Sequence, residues 1–147
     1  MKKMLLILAL TTMGLVAGCA SDAGSVAPPQ DDKKGAAVME QRWNLLLLGT
    51  SERWRGNGET PWIEIDSDGR LSGSNGCNRL MGEVSFPEGQ RIEITRLAST
   101  RMACPNPQNS QRVNQLLENA YRYLIDHDRL VLLGPNGRVL GGFRRGK

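Results

Sequence analysis

The chain has 147 residues, with 19 Lys and Arg against 15 Asp and Glu, one His, three Cys and a formal net charge of +4. That length accommodates a leader and one small domain, not two. The near balance of charge provides no basic stripe for a nucleic acid, and a single His excludes a His-rich metal centre.

Lys2 and Lys3 precede an apolar run, Met4 to Val16, interrupted by Thr11, Thr12 and Gly14. Residues 1–18 therefore read as a secretory signal peptide, too short for a comfortable membrane span. Its end, Val16-Ala17-Gly18-Cys19, resembles the lipobox of bacterial lipoproteins. The resemblance implies cleavage before Cys19, a thioether-linked lipid on Cys19 and acylation of the new N-terminus. Several acyl chains such as palmitate hold a protein on a membrane far more firmly than one. The alternative is an ordinary signal peptide with an incidental Cys. Ala20 and Ser21 follow, where an Asp would favour retention at the inner membrane. The expected location is the bacterial cell envelope, lipid-anchored, on the periplasmic side of the outer membrane. Loss of residues 1–18 removes Lys2 and Lys3 and lowers the net charge to +2. Residues 19–38 are rich in Ala, Pro, Asp and Lys and lack aromatics, and read as a flexible tether. The folded domain is expected over 39–147.

Within it, Arg42 to Gly49 is a short apolar run ending in Gly, expected as a strand buried on both faces. The connection from Thr50 to Pro61 is long, and it sets Trp54 between Arg53 and Arg55. An aromatic face flanked by cations makes Trp54 a candidate partner contact. The alternative is that Trp54 folds back over the rim of the domain. Trp62 to Asp66 alternates, Ser67-Asp68-Gly69 turns, and Arg70 to Ser74 returns as the partner strand. Gly82 to Phe86 places Val84 and Phe86 on one face; after Pro87-Glu88-Gly89, Arg91 to Thr95 does the same with Ile92 and Ile94.

One helix follows. Asn106 can cap it, Pro107 suits its first position, and Val113, Leu116, Leu117 and Ala120 form an apolar stripe. It is expected to end near Tyr121 or Tyr123. Asp126-His127-Asp128 reads as a hydrophilic turn. Leu130 to Leu133, the turn Gly134-Pro135-Asn136-Gly137, and Arg138 to Leu140 make a hairpin finishing at Phe143. Arg144-Arg145-Gly146-Lys147 reads as a solvated tail. The expected class is α+β: antiparallel strands forming a roll or partly open barrel, with one covering helix.

The stretch Gly73-Ser74-Asn75-Gly76-Cys77-Asn78-Arg79 carries the chemistry to be explained. A phosphate cradle needs its glycines to open a helix, and here another strand follows. A zinc site needs about four ligands, whereas the domain holds Cys77, Cys104 and His127. A Cys–His nucleophile would have to recruit His127 from its turn. With Cys19 lipidated, Cys77 and Cys104 are an even pair in an oxidising compartment, where a bridge is expected and two free thiols are the alternative. Closing that loop is worth roughly 3.5 kcal/mol.

Ser72-Gly73-Ser74-Asn75-Gly76-Cys77-Asn78-Arg79, with Gly82 beyond it, resembles one signature of the META domain family; Leu97-Ala98-Ser99-Thr100-Arg101-Met102-Ala103-Cys104 resembles a second. Trp43-Asn44-Leu45 with Gly49, and Leu130 to Leu140, match the family's first strand and last hairpin. The motif positions are Gly76, Asn78, Arg79, Thr100 and Met102. The likeness implies a small mixed barrel-like domain of the cell envelope with no catalytic centre, metal or cofactor. It also implies a link to stress response, heat shock and novobiocin tolerance, and a fold likened to lipid-binding pilot lipoproteins. Cys77 then ties a structural corner, with Asn78 and Arg79 satisfying backbone groups there. A partner-binding role for Arg79 and Arg101 is the alternative. The leading expectation is a noncatalytic binder of an envelope protein or lipid-like ligand, with no nucleic acid. A pilot that assists assembly of an outer-membrane complex is the second reading.

Overall fold

In the computed structural model, residues 35–50, 52–56 and 58–147 are described; Cys19, the expected signal peptide and the tether up to residue 34 lie outside them. Among the described residues nine strands and one helix form: β1 (Arg42–Leu48), β2 (Glu52–Arg53), β3 (Trp62–Ile65), β4 (Arg70–Ser74), β5 (Arg79–Ser85), β6 (Glu93–Ser99), α1 (Pro107–Glu118), β7 (Arg122–Asp126), β8 (Arg129–Leu133) and β9 (Val139–Arg145).

Alternation along each strand decides which side chains turn inward. Ile63 and Ile65, Leu71, Leu80 and Val84, and Leu130 and Leu132 all point to one core, with Trp43 and Phe143 its largest members. The sheet runs in the order β6-β5-β4-β3-β1-β9-β8-β7, antiparallel throughout, with β2 paired to β1. It curls until its outer strands meet. The Ile92 amide donates to the Tyr121 carbonyl at 3.1 Å, and the Tyr123 amide donates to the Gln90 carbonyl at 2.9 Å. These bonds flank an antiparallel bridge between Arg91 and Arg122. That bridge lies just before β6; among the described residues β6 itself is not paired with β7, and α1, which connects them in sequence, presents Val113, Leu116 and Leu117 to the core. The result is a curled half-barrel with one covering helix.

At Gly141 of β9 the helix side chain Leu116 lies close against the sheet backbone. A Cβ there would lie 2.3 Å from Leu116 Cδ1 and 2.7 Å from the Leu47 carbonyl, so a side chain has no room.

Several expectations need correction. β1 is not buried on both faces. Trp43, Leu45 and Leu48 face the core, and a bulge between Leu45 and Leu47 reverses the alternation, leaving Leu46 and Leu47 half-buried. The helix stops at Glu118, because the chain from Tyr121 is drawn between β8 and the segment Gln90 to Ile92, and from Arg122 it is strand β7. Arg144 and Arg145 are not a tail. They extend β9 along β1, with Arg145 opposite Trp43 and its guanidinium 5.4 Å from that ring. The folded part also begins before Met39: Val38 is fully buried, and its carbonyl accepts the Trp43 indole N–H at 2.8 Å.

Candidate binding cleft at the disulfide corner

β4 and β5 are joined by a four-residue corner, Asn75 to Asn78. Gly76 makes it possible, with φ +93°, a conformation that L side chains rarely adopt. A Cβ on Gly76 would also stand 3.2 Å from the Glu59 carbonyl and 3.3 Å from both Pro61 and the Trp54 ring. Asn75, 1% exposed, closes the turn through its side chain. Its Oδ1 accepts from the amides of Cys77 at 3.2 Å and Asn78 at 2.7 Å, an Asx-type turn, while its Nδ2 donates to Asn114 Oδ1 of α1 at 2.9 Å. The corner is thereby fastened to the helix.

Asn78 fastens it to the segment after β6. Its Oδ1 accepts from the Met102 amide at 2.7 Å and the Thr100 hydroxyl at 3.1 Å, and its Nδ2 donates to Cys104 Sγ at 3.2 Å. Thr100 Oγ1 accepts from the Arg79 amide at 3.1 Å. Cys77 and Cys104 are bonded, with S–S 2.06 Å and Cα atoms 5.9 Å apart. On the far side, Glu59 accepts from the Ser74 hydroxyl at 3.0 Å and the Trp62 indole at 2.9 Å.

Beside this corner lies a cleft of about 260 Å³, lined by Trp54 and Arg55, by Asn75, Gly76 and Cys77, and by Cys104 with the start of α1 through Ser110. Trp54 is half-buried against the core and covers Gly76, so it packs on the rim and at the same time forms a wall of the cleft. Of the other candidate residues, Arg79 contributes its backbone to the corner. Its exposed side chain borders a separate groove on the outer sheet face, with Trp62 and Met81. Arg101 and Met102 are exposed and do not line the cleft. His127 sits on the exposed turn between β7 and β8, its Nδ1 2.6 Å from Asp126 Oδ1.

Sequence reasoning missed Asn75 and Ser110. Asn75 precedes a glycine, as turn-forming Asn residues do. Ser110 lies three residues before Val113 and seven before Leu117, on the helix face that turns inward, so periodicity already placed it there.

The two cysteine-bearing signatures are thus the two halves of one corner. A profile of the META domain family matches residues 36–147. The chain belongs to the META domain family. Over 118 residues it is 31% identical to heat shock protein HslJ of Escherichia coli (strain K12), covering 80% of this chain and 76% of that protein. The fold recurs in an NMR structure of a protein from Burkholderia xenovorans, with TM-score 0.61, 24% identity and coverage of 86% of this chain and 97% of that one. It recurs also in the crystal structure of a DUF4847-family protein from Bacteroides vulgatus ATCC 8482, with TM-score 0.55, 18% identity and coverage of 77% and 97%. At these identities the structural neighbours establish the META fold alone.

Proposed function

We propose that this META domain is the noncatalytic binding module of a bacterial envelope protein anchored through lipid on Cys19. It serves in stress response or antibiotic tolerance by engaging an envelope partner at the cleft beside the disulfide corner. The observation that carries the reading is the placement of Trp54, a large half-buried aromatic on the wall of an open cleft with Arg55 next to it. Aromatic and Arg side chains in such settings dominate binding energy. The groups that chemistry would call on are committed elsewhere: both domain cysteines are in the disulfide, and Asn75 and Asn78 hold backbone amides. The stress role draws support from the 31% identity to a protein named for heat shock. The lipid-ligand alternative calls for an apolar chamber, and the barrel interior is instead occupied by Trp43, Phe143, Leu117 and Leu132, each less than 2% exposed.

The test is capture from intact envelopes by chemical cross-linking of the full chain. The Trp54→Ala protein is expected to keep its disulfide and cooperative melt and to lose the captured partner. Undiminished capture by Trp54→Ala contradicts the proposal.

A further inference from the structure

The seam that closes the half-barrel sets two arginines side by side. Arg91 and Arg122 are the partners in its antiparallel bridge. The hydrogen bonds there are made by the flanking residues, Ile92 with Tyr121 and Tyr123 with Gln90, so Arg91 and Arg122 form a non-hydrogen-bonded pair. In such a pair the Cα atoms stand about 4.5 Å apart and the side chains leave on one face, where like charges repel. The backbone bonds would form with other side chains at these positions, so the pairing does not account for the two charges. Arg91 is held in place: its guanidinium lies over the Tyr121 ring, 3.4 Å from the centroid, and Nη2 donates to Glu93 Oε1 at 3.1 Å. Its Nε is buried without an acceptor, the one such side-chain atom among the described residues. An unpaired buried N–H is costly, and an acceptor from outside the chain relieves that cost. The Arg91 side chain as a whole is 30% exposed, and it lines a shallow groove of about 390 Å³ with Tyr121, Arg122 and Glu88. Arg122 is exposed and makes no ion pair or side-chain hydrogen bond with a described residue. Glu88 pairs with neither arginine.

We propose that this seam is an anion site for a phosphate group, free or carried on a lipid headgroup. Arg122 donates to one phosphate oxygen, and Arg91 turns its Nε edge to another. Two guanidinium groups meet the ligand from opposite sides of the seam, and a tetrahedral phosphate offers oxygens to both, whereas a flat carboxylate is filled by one guanidinium fork. A lipid source fits the course of the chain. Gly35, the first described residue, donates its amide to the Tyr123 hydroxyl at 3.3 Å, so the segment leading back to Cys19 enters beside this seam. The site is separate from the cleft at the disulfide corner, and its test does not depend on that cleft binding anything.

The experiment uses the full-length lipidated protein in dodecyl maltoside micelles, labelled with nitrogen-15, at constant ionic strength. It is titrated with inorganic phosphate, with phosphatidylglycerol added to the micelles, and with acetate. The Arg91 Nε–H signal and the Arg122 amide signal are expected to move saturably with a phosphate-bearing ligand, at about 1 mM for inorganic phosphate, and not with acetate. A tighter response to phosphatidylglycerol assigns the site to a lipid headgroup, and a tighter response to inorganic phosphate assigns it to the free anion. Arg122→Gln is expected to weaken binding about fivefold and Glu88→Gln to strengthen it about twofold, both without a change in the melt. Acetate binding as tightly as phosphate overturns the phosphate assignment. No saturable shift with phosphatidylglycerol or with up to about 10 mM phosphate, or shifts undiminished in Arg122→Gln, overturns the site.

Discussion

Replacement of Asn78 by Ala tests whether the corner is held by side-chain hydrogen bonds. Asn78 is 8% exposed, and its carboxamide makes three contacts, to the Met102 amide, the Thr100 hydroxyl and Cys104 Sγ. The contact to sulfur is weak, and the other two are ordinary hydrogen bonds, each worth about 1 kcal/mol net, with about 1–3 kcal/mol more for a donor left buried and unpaired. Thr100 can turn its hydroxyl elsewhere, while the Met102 amide is fixed by the backbone. Because the Met102 side chain is 61% exposed, water reaches part of this region and moderates the penalty. The expected cost is about 2–3 kcal/mol, or a fall in melting temperature of about 8–15 °C for a domain of this size. The assay is thermal unfolding by circular dichroism and calorimetry without reductant, with the disulfide verified by mass. A Thr100→Val partner completes a double-mutant cycle, and a coupling of about 0.5–3 kcal/mol is expected for groups in one network. A loss within about 0.5 kcal/mol, the range of ordinary surface substitutions, refutes the structural role assigned to Asn78.

Gly76→Ala is expected to destabilise by about 2 kcal/mol, from the positive φ and the crowding by Glu59, Pro61 and Trp54, measured by denaturant unfolding. Reducing the disulfide, whose cysteines are 27 residues apart, is expected to lower stability by about 3.5 kcal/mol, read from melts with and without a phosphine reductant. Cys19→Ala is expected to move the protein from the membrane to the soluble fraction or leave it uncleaved; normal processing with full membrane retention contradicts the lipid anchor.

Much of the fold was legible because its signals are local. The alternation in Trp62 to Asp66, the Gly-rich turn before Arg138, and the Asn106-Pro107 helix start each specify an element within a few residues. The errors fall where distant chain segments decide. Tyr121 to Tyr123 continues a helical reading in sequence, and its pairing with β8 on one side and Gln90 to Ile92 on the other makes it the start of a strand. Arg144 and Arg145 read as a charged tail because the β1 edge that accepts them lies about a hundred residues earlier in sequence. The corner was legible as a motif, yet its working parts were not. Asn78 was marked by the family resemblance, whereas Asn75 and Ser110 acquire meaning only once α1 is laid against the corner.

The central claim is that binding occurs at the cleft, and a photo-cross-linking residue placed by turns at positions 55 and 129 of the anchored protein tests it most directly. Arg55 lines the cleft, and Arg129 is exposed at the start of β8. The account predicts a discrete cross-linked species from position 55 that disappears with Trp54→Ala, and none from position 129. Equal cross-linking from both positions, or cross-linking at 55 that survives Trp54→Ala, would contradict it.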